Sequence, residues 1–412
     1  MGLAVLRIRI LGSLLINAIL LITMLKKILF IIAIIGLGIA IYVYGQAWFF
    51  QPTESSIQEY GEVNNNAVAS LGNYQLSDQM IATNLEVPWE VLYLPNTMVI
   101  YSERPGRITL QSELGYTEIY NNENFSASGE GGLLGMALHP NFQTSDNWLY
   151  IYETYDSNDG QTLNRVVRFR FDTGSDPMLT AREIIIDNIP GAMYHDGGRI
   201  VFGPDNNLYI TTGDATMPDL SQDLNSLAGK ILRVQDDGTI PSDNPFSNSA
   251  VYSYGHRNPQ GLAWDGSGNM YATEHGPSGI NSGQDELNQI VAGGNYGWPF
   301  FSGTERPGPT EDSPIPDPQF PIAASGPDEV WAPAGLSYWQ GDLWFGGLRG
   351  QALYQYDIDS AELLRHLSGE LGRIRTTTVT PSGDLAITTS NRDGRGSPAS
   401  DDDKIVLYQV RN

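Results

Sequence analysis

A strand–turn–strand pattern repeats six times between residues 87 and 394, and this repeat limits the possible fold more than any other feature. In each copy an apolar strand precedes a polar turn, and a second strand then carries aromatic or β-branched residues. The six copies are Val87–Gly106, Leu133–Thr154, Arg199–Asp214, Asn258–Gly276, Pro333–Gly350 and Ile374–Gly394. Their spacing of roughly 56 residues is near the length of one four-stranded blade. The repeat therefore predicts an all-β fold, a six-bladed β-propeller.

Further strand-like runs lie between the hairpins and can complete the blades. They are Val166–Phe171, Ile231–Val234, Ala352–Asp357 and Ile405–Val410. No long amphipathic helical period occurs in this region, which favours a propeller over a sandwich or a parallel barrel. We expect the final strand Lys404–Val410 to pair with an early strand near Gln75–Ala82 and close the ring, because closure removes exposed sheet edges.

The first 50 residues differ from the rest of the chain. Ile28–Tyr44 is an uncharged apolar run, and it follows a pair of lysines (Lys26 and Lys27) and precedes the aromatic run 48–50. Such a run can span a bilayer, with the lysines on the cytoplasmic side and the aromatics at the opposite interface. We interpret residues 1–50 as an uncleaved N-terminal transmembrane helix, with a buried core helix as the alternative. Met24 begins a segment typical of a signal anchor, so we expect translation to start there.

The remaining chain divides into a polar linker, residues 51–73, and a propeller domain, residues 74–412. With the anchor in place, the propeller is expected on the extracytoplasmic, periplasmic side of the cell membrane. The net charge of −24, from 47 acidic and 23 basic residues, argues against a nucleic-acid partner. The absence of cysteine excludes a disulfide framework, a zinc–thiolate site and a cysteine nucleophile.

Chemically unusual residues recur at the start of the first strand of several repeats. These stretches are His195–Arg199, Gly255–Gly261 and Gly372–Arg375, with Glu130 at the same place in the second repeat and Arg349 after the second strand of the fifth. Equivalent points of different blades converge around the central channel of a propeller, so we expect these side chains to meet. In so acidic a chain, a group of arginines favours a site for a multiply anionic ligand. His195 is the candidate catalytic base of that site.

Other polar residues have weaker readings. A lone histidine is usually a turn or core residue. Loop support is therefore the alternative interpretation for His256 and His275, and His366 is expected on the surface. Acidic side chains and turn carbonyls at Glu274–Pro277, Asp285–Asn288 and Gly293–Pro299 suit Ca²⁺, with an ordinary acidic turn as the alternative.

Together these stretches resemble the soluble-type pyrroloquinoline quinone (PQQ) dehydrogenases, the family of soluble glucose dehydrogenase and the shorter aldose sugar dehydrogenases. The matching segments are residues 132–142, the His195 stretch, Leu227–Val234, Tyr254–Trp264, Asp285–Pro299 and Arg373–Arg375. The resemblance covers roughly Val87 to Val410, and the modest length and compact loops look more like the aldose type.

The resemblance implies PQQ- and calcium-dependent oxidation of aldose sugars, from the anomeric hydroxyl to a lactone, with electrons passed to an external, respiratory acceptor. His195 matches the general base that takes the hydroxyl proton, while the hydride passes to the C5 carbonyl of PQQ. Arg257 matches the arginine beside that carbonyl, and Asn258 matches a cofactor contact. Arg373 and Arg375 match the pair that binds PQQ carboxylates.

The resemblance also implies two calcium sites. Gly276 and Pro277 match the backbone carbonyls that hold the catalytic Ca²⁺, which also binds PQQ. The Glu286 side chain and the Tyr296 carbonyl match a second, structural Ca²⁺ site.

Two positions depart from the family pattern. Glu130 stands where the best-known members have a glutamine touching the cofactor, and a carboxylate near a tricarboxylate ligand is unfavourable unless Arg or Ca²⁺ screens it. Arg349 stands where they have a lysine, which keeps the charge but changes the geometry. Two other functions stay open: a non-catalytic sugar- or protein-binding propeller, and a Ca²⁺-dependent lactonase, which would need a central cage of Asp, Glu and Asn.

Overall fold

The six predicted hairpins supply the first two strands of six four-stranded antiparallel sheets in the computed structural model of the chain. The structure describes residues 74–410 except for 96, 123–127, 278–282, 305–314 and 316, and all of these belong to one unit that spans Tyr60–Asn412. Around most of the ring the first strands of neighbouring blades contact each other, so they surround the axis of a six-bladed propeller. The predicted fold class is thereby confirmed for the propeller.

Each blade runs outward from its first strand in hydrogen-bonded order. Blade one holds β2 (Pro88–Tyr93), β3 (Val99–Glu103), β4 (Arg107–Ser112) and β5 (Gly115–Asn121). Blade two holds β6 (Leu133–Leu138), β7 (Trp148–Asp156), β8 (Thr162–Asp172) and β9 (Met178–Pro190). Blade three holds β10 (Ile200–Phe202), β11 (Leu208–Thr212), β12 (Lys230–Val234) and β13 (Val251–Tyr254).

The second half of the ring repeats this order. Blade four holds β14 (Pro259–Trp264), β15 (Met270–Glu274), β16 (Glu286–Ile290) and β17 (Ala323–Ala324). Blade five holds β18 (Pro333–Trp339), β19 (Asp342–Gly347), β20 (Ala352–Tyr356) and β21 (Leu363–His366). Blade six holds β22 (Ile374–Val379), β23 (Leu385–Thr389), β24 (Ile405–Val410) and β1 (Tyr74–Ala82). A 3₁₀ helix (Pro218–Ser221) lies between β11 and β12.

Strand β1 closes the ring as the outermost strand of blade six. It runs antiparallel to β24, with Tyr74 opposite Val410 and Leu76 opposite Tyr408. The predicted pairing of the early strand with the final strand is therefore confirmed. The predicted membrane anchor (residues 1–50) and linker (residues 51–73) lie outside the described residues. Among the described residues, no helix has both the length and the apolar character needed to cross a bilayer.

The core lies between the blades rather than inside each one. Leu110 of blade one and Leu149 and Val167 of blade two belong to one buried cluster. A blade between two neighbours is covered on both faces, so its middle strands are apolar almost throughout instead of alternating. Strand β7 shows this, because its first seven residues are all buried.

A buried ion pair fills the axis of the propeller. The guanidinium of Arg199, directly before β10, pairs with the carboxylate of Glu90, on β2. The same guanidinium donates to Thr376 Oγ1 at 2.9 Å and lies 4.3 Å from the centre of the Trp89 ring. Arg199 Nε also donates to the Gln260 carbonyl at 3.1 Å, so this one arginine joins blades one, three, four and six. The axis thus presents a paired arginine where a lactonase would need a cage of oxygen ligands.

The prediction that His366 lies on the surface is wrong. Its side chain is only 3% exposed. His366 Nε2 lies 2.8 Å from Gln355 Oε1, and Nδ1 lies 3.2 Å from the Tyr408 hydroxyl. Burial lowers the pKa of His366 to about 4. A neutral ring with hydrogen on Nε2 satisfies both contacts, because Nε2 then donates to the amide oxygen and Nδ1 accepts from the phenol.

Candidate active site

A cavity of about 550 Å³ opens where loops from five blades meet at one end of the propeller. This volume is within the range of small-molecule sites. Seven of the predicted site residues line the cavity: Glu130, His195, Arg257, Gly276, Pro277, Arg349 and Arg373. The structure thus brings together residues that are more than 200 positions apart in the sequence.

His195 lies just before β10 in an unusual backbone conformation. Its φ is 66°, in the left-handed region that few residues other than glycine adopt. Gly213, directly after β11, packs against the His195 backbone and leaves no space for a side chain of its own, because a Cβ on Gly213 would lie 1.8 Å from the His195 carbonyl oxygen. The imidazole is 16% exposed and lines the cavity.

A buried carboxylate orients the His195 ring. Asp214 Oδ1 lies 2.7 Å from His195 Nδ1, and the Asp214 side chain is 0% exposed. Asp214 also accepts the backbone N–H of Thr216 at 2.8 Å on Oδ1 and the indole N–H of Trp298 at 2.8 Å on Oδ2. With its proton on Nδ1, the ring keeps Nε2 as a proton acceptor, as a general base requires.

Sequence reasoning missed Asp214, although it ended the same repeat that contains His195. The signal for Asp214 was its position just after the end of β11. Strand β11 runs antiparallel to β10, so its end returns to the end of the blade where His195 precedes β10. Such a return brings residues 19 positions apart within hydrogen-bond distance.

Glu130 contacts the backbone of the candidate base. Its Oε2 accepts the His195 backbone N–H at 3.0 Å and the Asn258 amide at 3.3 Å. Its Oε1 lies 3.2 Å from Arg395 Nη1. Burial alone would raise the pKa of Glu130. Electrostatic attraction to His275, the hydrogen bond from the His195 N–H and the charge of Arg395 together outweigh burial and lower this pKa to about 2. Arg395, which sequence reasoning also missed, therefore screens a carboxylate that stays ionised.

The two arginines at the start of blade six, Arg373 just before β22 and Arg375 within it, have different positions. Arg373 lines the cavity, where its Nη2 lies 2.7 Å from Asp393 Oδ2 and its Nη1 donates to the Leu348 carbonyl at 3.0 Å. Arg375 is not among the residues that line the cavity. Its Nη1 donates to Gln260 Oε1 at 3.0 Å, its Nε is buried without a partner in the described part of the chain, and burial lowers its pKa to about 9.

The other predicted cofactor contacts surround the base. Arg257 Nη1 donates to the His275 carbonyl at 3.3 Å, and the guanidinium lies 5.4 Å from the centre of the Trp298 ring. Asn258 is fully buried, and its side-chain oxygen accepts the Gly197 backbone N–H at 3.0 Å. Arg349 is exposed at the cavity, and its guanidinium has no hydrogen bond or ion pair to any residue that the structure describes.

The turn at Gly276 and Pro277 lines the cavity. Asp285 fixes this turn, because its Oδ1 accepts the Gly276 N–H at 2.9 Å while its Oδ2 accepts the backbone N–H of Trp331 at 2.7 Å. Within the described ranges no group donates a hydrogen bond to the carbonyl of Gly276 or Pro277. Next to this turn, His275 Nε2 is buried without a hydrogen-bond partner in the same ranges, and burial lowers the pKa of His275 to about 3. Free carbonyls and an unpaired ring nitrogen fit a bound cation and its ligand.

The second predicted calcium position contains two buried carboxylates. Glu286 lies directly opposite Glu274 across β15 and β16, and burial, followed by the Glu274 charge, raises the pKa of Glu286. Asn288 donates to Glu286 Oε2 at 3.0 Å, while its own side-chain oxygen is buried with no partner in the described chain. Tyr296 stacks on His256 at a ring distance of 4.5 Å. In the described ranges no three His, Cys, Asp or Glu side chains are grouped to hold a metal, so a cation here would need backbone and amide oxygens as well.

Fold and site together define a six-bladed propeller with an arginine-lined cavity around a candidate general base. The sequence profile of the Glucose / Sorbosone dehydrogenase family matches residues 85–400. The chain belongs to this family, and its relatives include a quinoprotein glucose dehydrogenase and an aldose sugar dehydrogenase.

Three relatives illustrate the similarity. The PQQ-bound aldose sugar dehydrogenase of Streptomyces coelicolor is 38% identical, with a TM-score of 0.72 over 82% of this chain and 98% of that chain. The aldose sugar dehydrogenase of Escherichia coli K12 is 29% identical over 77% of this chain and 90% of its own length. Quinoprotein glucose dehydrogenase B of Acinetobacter calcoaceticus is 33% identical over 55% of this chain, and the match spans 52% of that relative.

Proposed function

We propose that this chain oxidises aldose sugars at the anomeric carbon, converting the hydroxyl to a lactone, with PQQ and Ca²⁺ as cofactors. The observation that carries the proposal is the His195–Asp214 pair at the wall of an arginine-lined cavity. The similarity to a PQQ-bound aldose sugar dehydrogenase supports the choice of cofactor and substrate class. Bound PQQ would supply the two-electron acceptor that protein side chains lack.

His195 would act as the general base of the reaction. Asp214 holds the proton on Nδ1, so Nε2 accepts the proton of the anomeric hydroxyl. Asp214 also stabilises the imidazolium that this transfer creates, as a buried carboxylate next to the ring. The left-handed backbone of His195 fixes the direction of the ring before substrate arrives.

Four cationic or polar residues would bind the carboxylates and carbonyls of PQQ: Arg257, Asn258, Arg349 and Arg373. The free guanidinium of Arg349 can form a bidentate pair with a carboxylate. Arg375 would act from behind the cavity wall, as a buried positive charge beneath it. The carbonyls of Gly276 and Pro277 would hold the catalytic Ca²⁺, and Glu286 with the Tyr296 carbonyl would hold a structural one.

The propeller would work outside the cytoplasm, tethered by the apolar segment within residues 1–50. Sugars reach this side directly, and the electrons would pass to a respiratory acceptor in the membrane. Protease treatment of spheroplasts tests the orientation. Digestion of a C-terminal epitope without cell lysis is the expected result, and protection of the epitope would contradict the proposal.

A reconstitution assay tests the activity. The full chain is purified in detergent, stripped with a chelator, and supplied with PQQ and excess Ca²⁺ before dye reduction is followed with a panel of aldoses. We expect sugar-dependent turnover that needs both cofactors, and its loss in H195A. The matched control is H139A, a histidine of blade two that does not line the cavity. Sugar binding without turnover, under any of these conditions, would instead support the binding propeller.

A further inference from the structure

The Glu130 side chain holds the candidate base, His195, by a hydrogen bond to the His195 backbone. The His195 N–H donates to Glu130 Oε2 at 3.0 Å, and the same oxygen accepts the Asn258 amide. A left-handed backbone costs energy for a residue other than glycine, so neighbouring contacts must maintain it. A carboxylate accepts a backbone N–H more strongly than a neutral amide does. Glutamate at this position therefore holds His195 more firmly than glutamine would.

The same carboxylate adds a negative charge to a cavity proposed to bind an anion. Glu130 lines the cavity, and its low pKa keeps it ionised across the physiological range. Like charges in a partly buried site repel strongly because the surrounding dielectric is low. An uncompensated Glu130 would consequently weaken the binding of a tricarboxylate.

Arg395 supplies a compensating charge from blade six. Its Nη1 lies 3.2 Å from Glu130 Oε1, and its guanidinium covers the Tyr194 ring at 5.5 Å. Its backbone N–H donates to Asp393 Oδ1 at 2.9 Å, and the other oxygen of Asp393 pairs with Arg373. One turn thus carries Arg395 and is fixed to Arg373, so both cations have a defined place at the cavity.

We propose that Glu130 and Arg395 form a charge-matched pair, in which Glu130 is a positioning residue for His195 and Arg395 cancels its charge so that the cavity binds PQQ. This inference rests on the proposed function. It assigns Arg395 an effect on cofactor binding that depends on Glu130. Removal of Arg395 alone leaves the Glu130 carboxylate without a counter-charge. Removal of both side-chain charges makes this part of the cavity lining neutral.

Equilibrium binding of PQQ to the stripped, Ca²⁺-saturated full chain tests the pair, with tryptophan fluorescence as the signal. We expect R395Q to raise the dissociation constant about tenfold or more, and R395K, which keeps the charge, to stay near wild type. In the E130Q background, R395Q should change the constant by less than about threefold. E130Q alone should leave PQQ binding at least as tight, because it removes a negative charge from the cavity, while kcat falls because the hold on His195 weakens.

R170Q serves as the control, since it removes the same charge from an exposed arginine of blade two that does not line the cavity. Far-ultraviolet circular dichroism and the melting temperature establish that each variant is folded. An equal loss of affinity on R395Q with and without Glu130, or no loss at all, overturns the pair while the proposed function stands. Absence of PQQ binding in the wild-type chain overturns both.

Discussion

The Nδ1 atom of His195 lies 2.7 Å from Oδ1 of Asp214, a carboxylate that has no exposed surface. This contact fixes both the tautomer and the direction of the ring. Because the opposite oxygen of Asp214 accepts the Trp298 indole N–H, the base, its partner and the tryptophan form one hydrogen-bonded chain.

Replacement of Asp214 by asparagine should lower kcat by about 100-fold or more, because an amide does not stabilise the imidazolium that proton transfer creates. The dissociation constant for PQQ should stay near wild type, since Asp214 is not among the residues lining the cavity. Steady-state kinetics and PQQ titration measure the two effects separately. A kcat within threefold of wild type would show that Asp214 has no part in the reaction.

Trp298→Phe should reduce kcat about tenfold and leave PQQ binding unchanged, because it removes one hydrogen bond to a buried carboxylate. Phenylalanine keeps an aromatic ring near the Arg257 guanidinium, so the effect isolates the indole N–H. The companion variant W298L removes the ring as well and should also weaken PQQ binding. Identical kinetics for W298F and wild type would contradict the role of the N–H.

Acid should destabilise the propeller partly through His366. Its native pKa of about 4 lies below the unfolded value of 6.5, so the native state binds the proton less well. The contribution of His366 to the free energy of unfolding is therefore fully present above pH 6.5. It is lost as the pH drops toward 4, and the loss from this one group amounts to at most about 3 kcal/mol. Melting temperatures at pH 7 and pH 4.5 measure the loss. H366Q should show a smaller drop, and an equal drop in both proteins would exclude His366 as its source.

Glu90→Gln should lower the free energy of unfolding by about 3 kcal/mol, because it leaves the buried Arg199 guanidinium without its counter-charge. E183Q is the matched control, since Glu183 pairs with Arg168 at the surface, where such a pair contributes about 1 kcal/mol at most. Urea unfolding compares the two variants. Equal losses in the free energy of unfolding would show that the buried Glu90–Arg199 pair contributes no more to stability than the surface pair.

Removal of calcium with a chelator should lower the melting temperature of the wild-type chain by several degrees, since the buried Glu286 carboxylate, which lies opposite Glu274, then loses the cation proposed to bind it. E286Q should show a smaller calcium-dependent shift, because its structural site lacks the carboxylate ligand while the proposed site at Gly276 and Pro277 is intact. Calorimetry at saturating and chelated calcium measures both. A full calcium-dependent shift in E286Q would remove Glu286 from the ligand set.

The fold was predictable because the repeat is local. Each hairpin carries its own turn residues and alternation, so Arg199–Asp214 already specifies β10 and β11 without the rest of the chain. The convergence of His195, Arg257 and Arg373 followed from blade equivalence alone. Their positions in the first-strand loops are a property of the repeat, and the repeat is visible in the sequence.

The contacts between blades were not predictable in this way. Arg395 and Glu130 are 265 positions apart, and no sequence pattern marks them as partners. Arg375 lies only two positions after Arg373, and residues two apart in a regular strand share a face. The register of β22 against β23 shifts between Ile374 and Thr376, and Arg375, within this shift, contacts Gln260 instead of lining the cavity. His366 has an ionisable side chain, which favours the surface, but aromatic side chains of β19, β24 and β1 bury it. These strands lie far from His366 in sequence.

The pairing of β1 with β24 has a consequence for biosynthesis. Strand β1 leaves the ribosome before any other strand of the propeller, and its partner leaves last. Blades one to five can assemble in order as the chain emerges, whereas blade six waits for the carboxyl end. During that interval the edge of β1 stays unpaired, which is the state most prone to pair with another chain. A ribosome that stops before Ile405 therefore releases an open ring, and chaperone binding to nascent chains should be greatest just before that point.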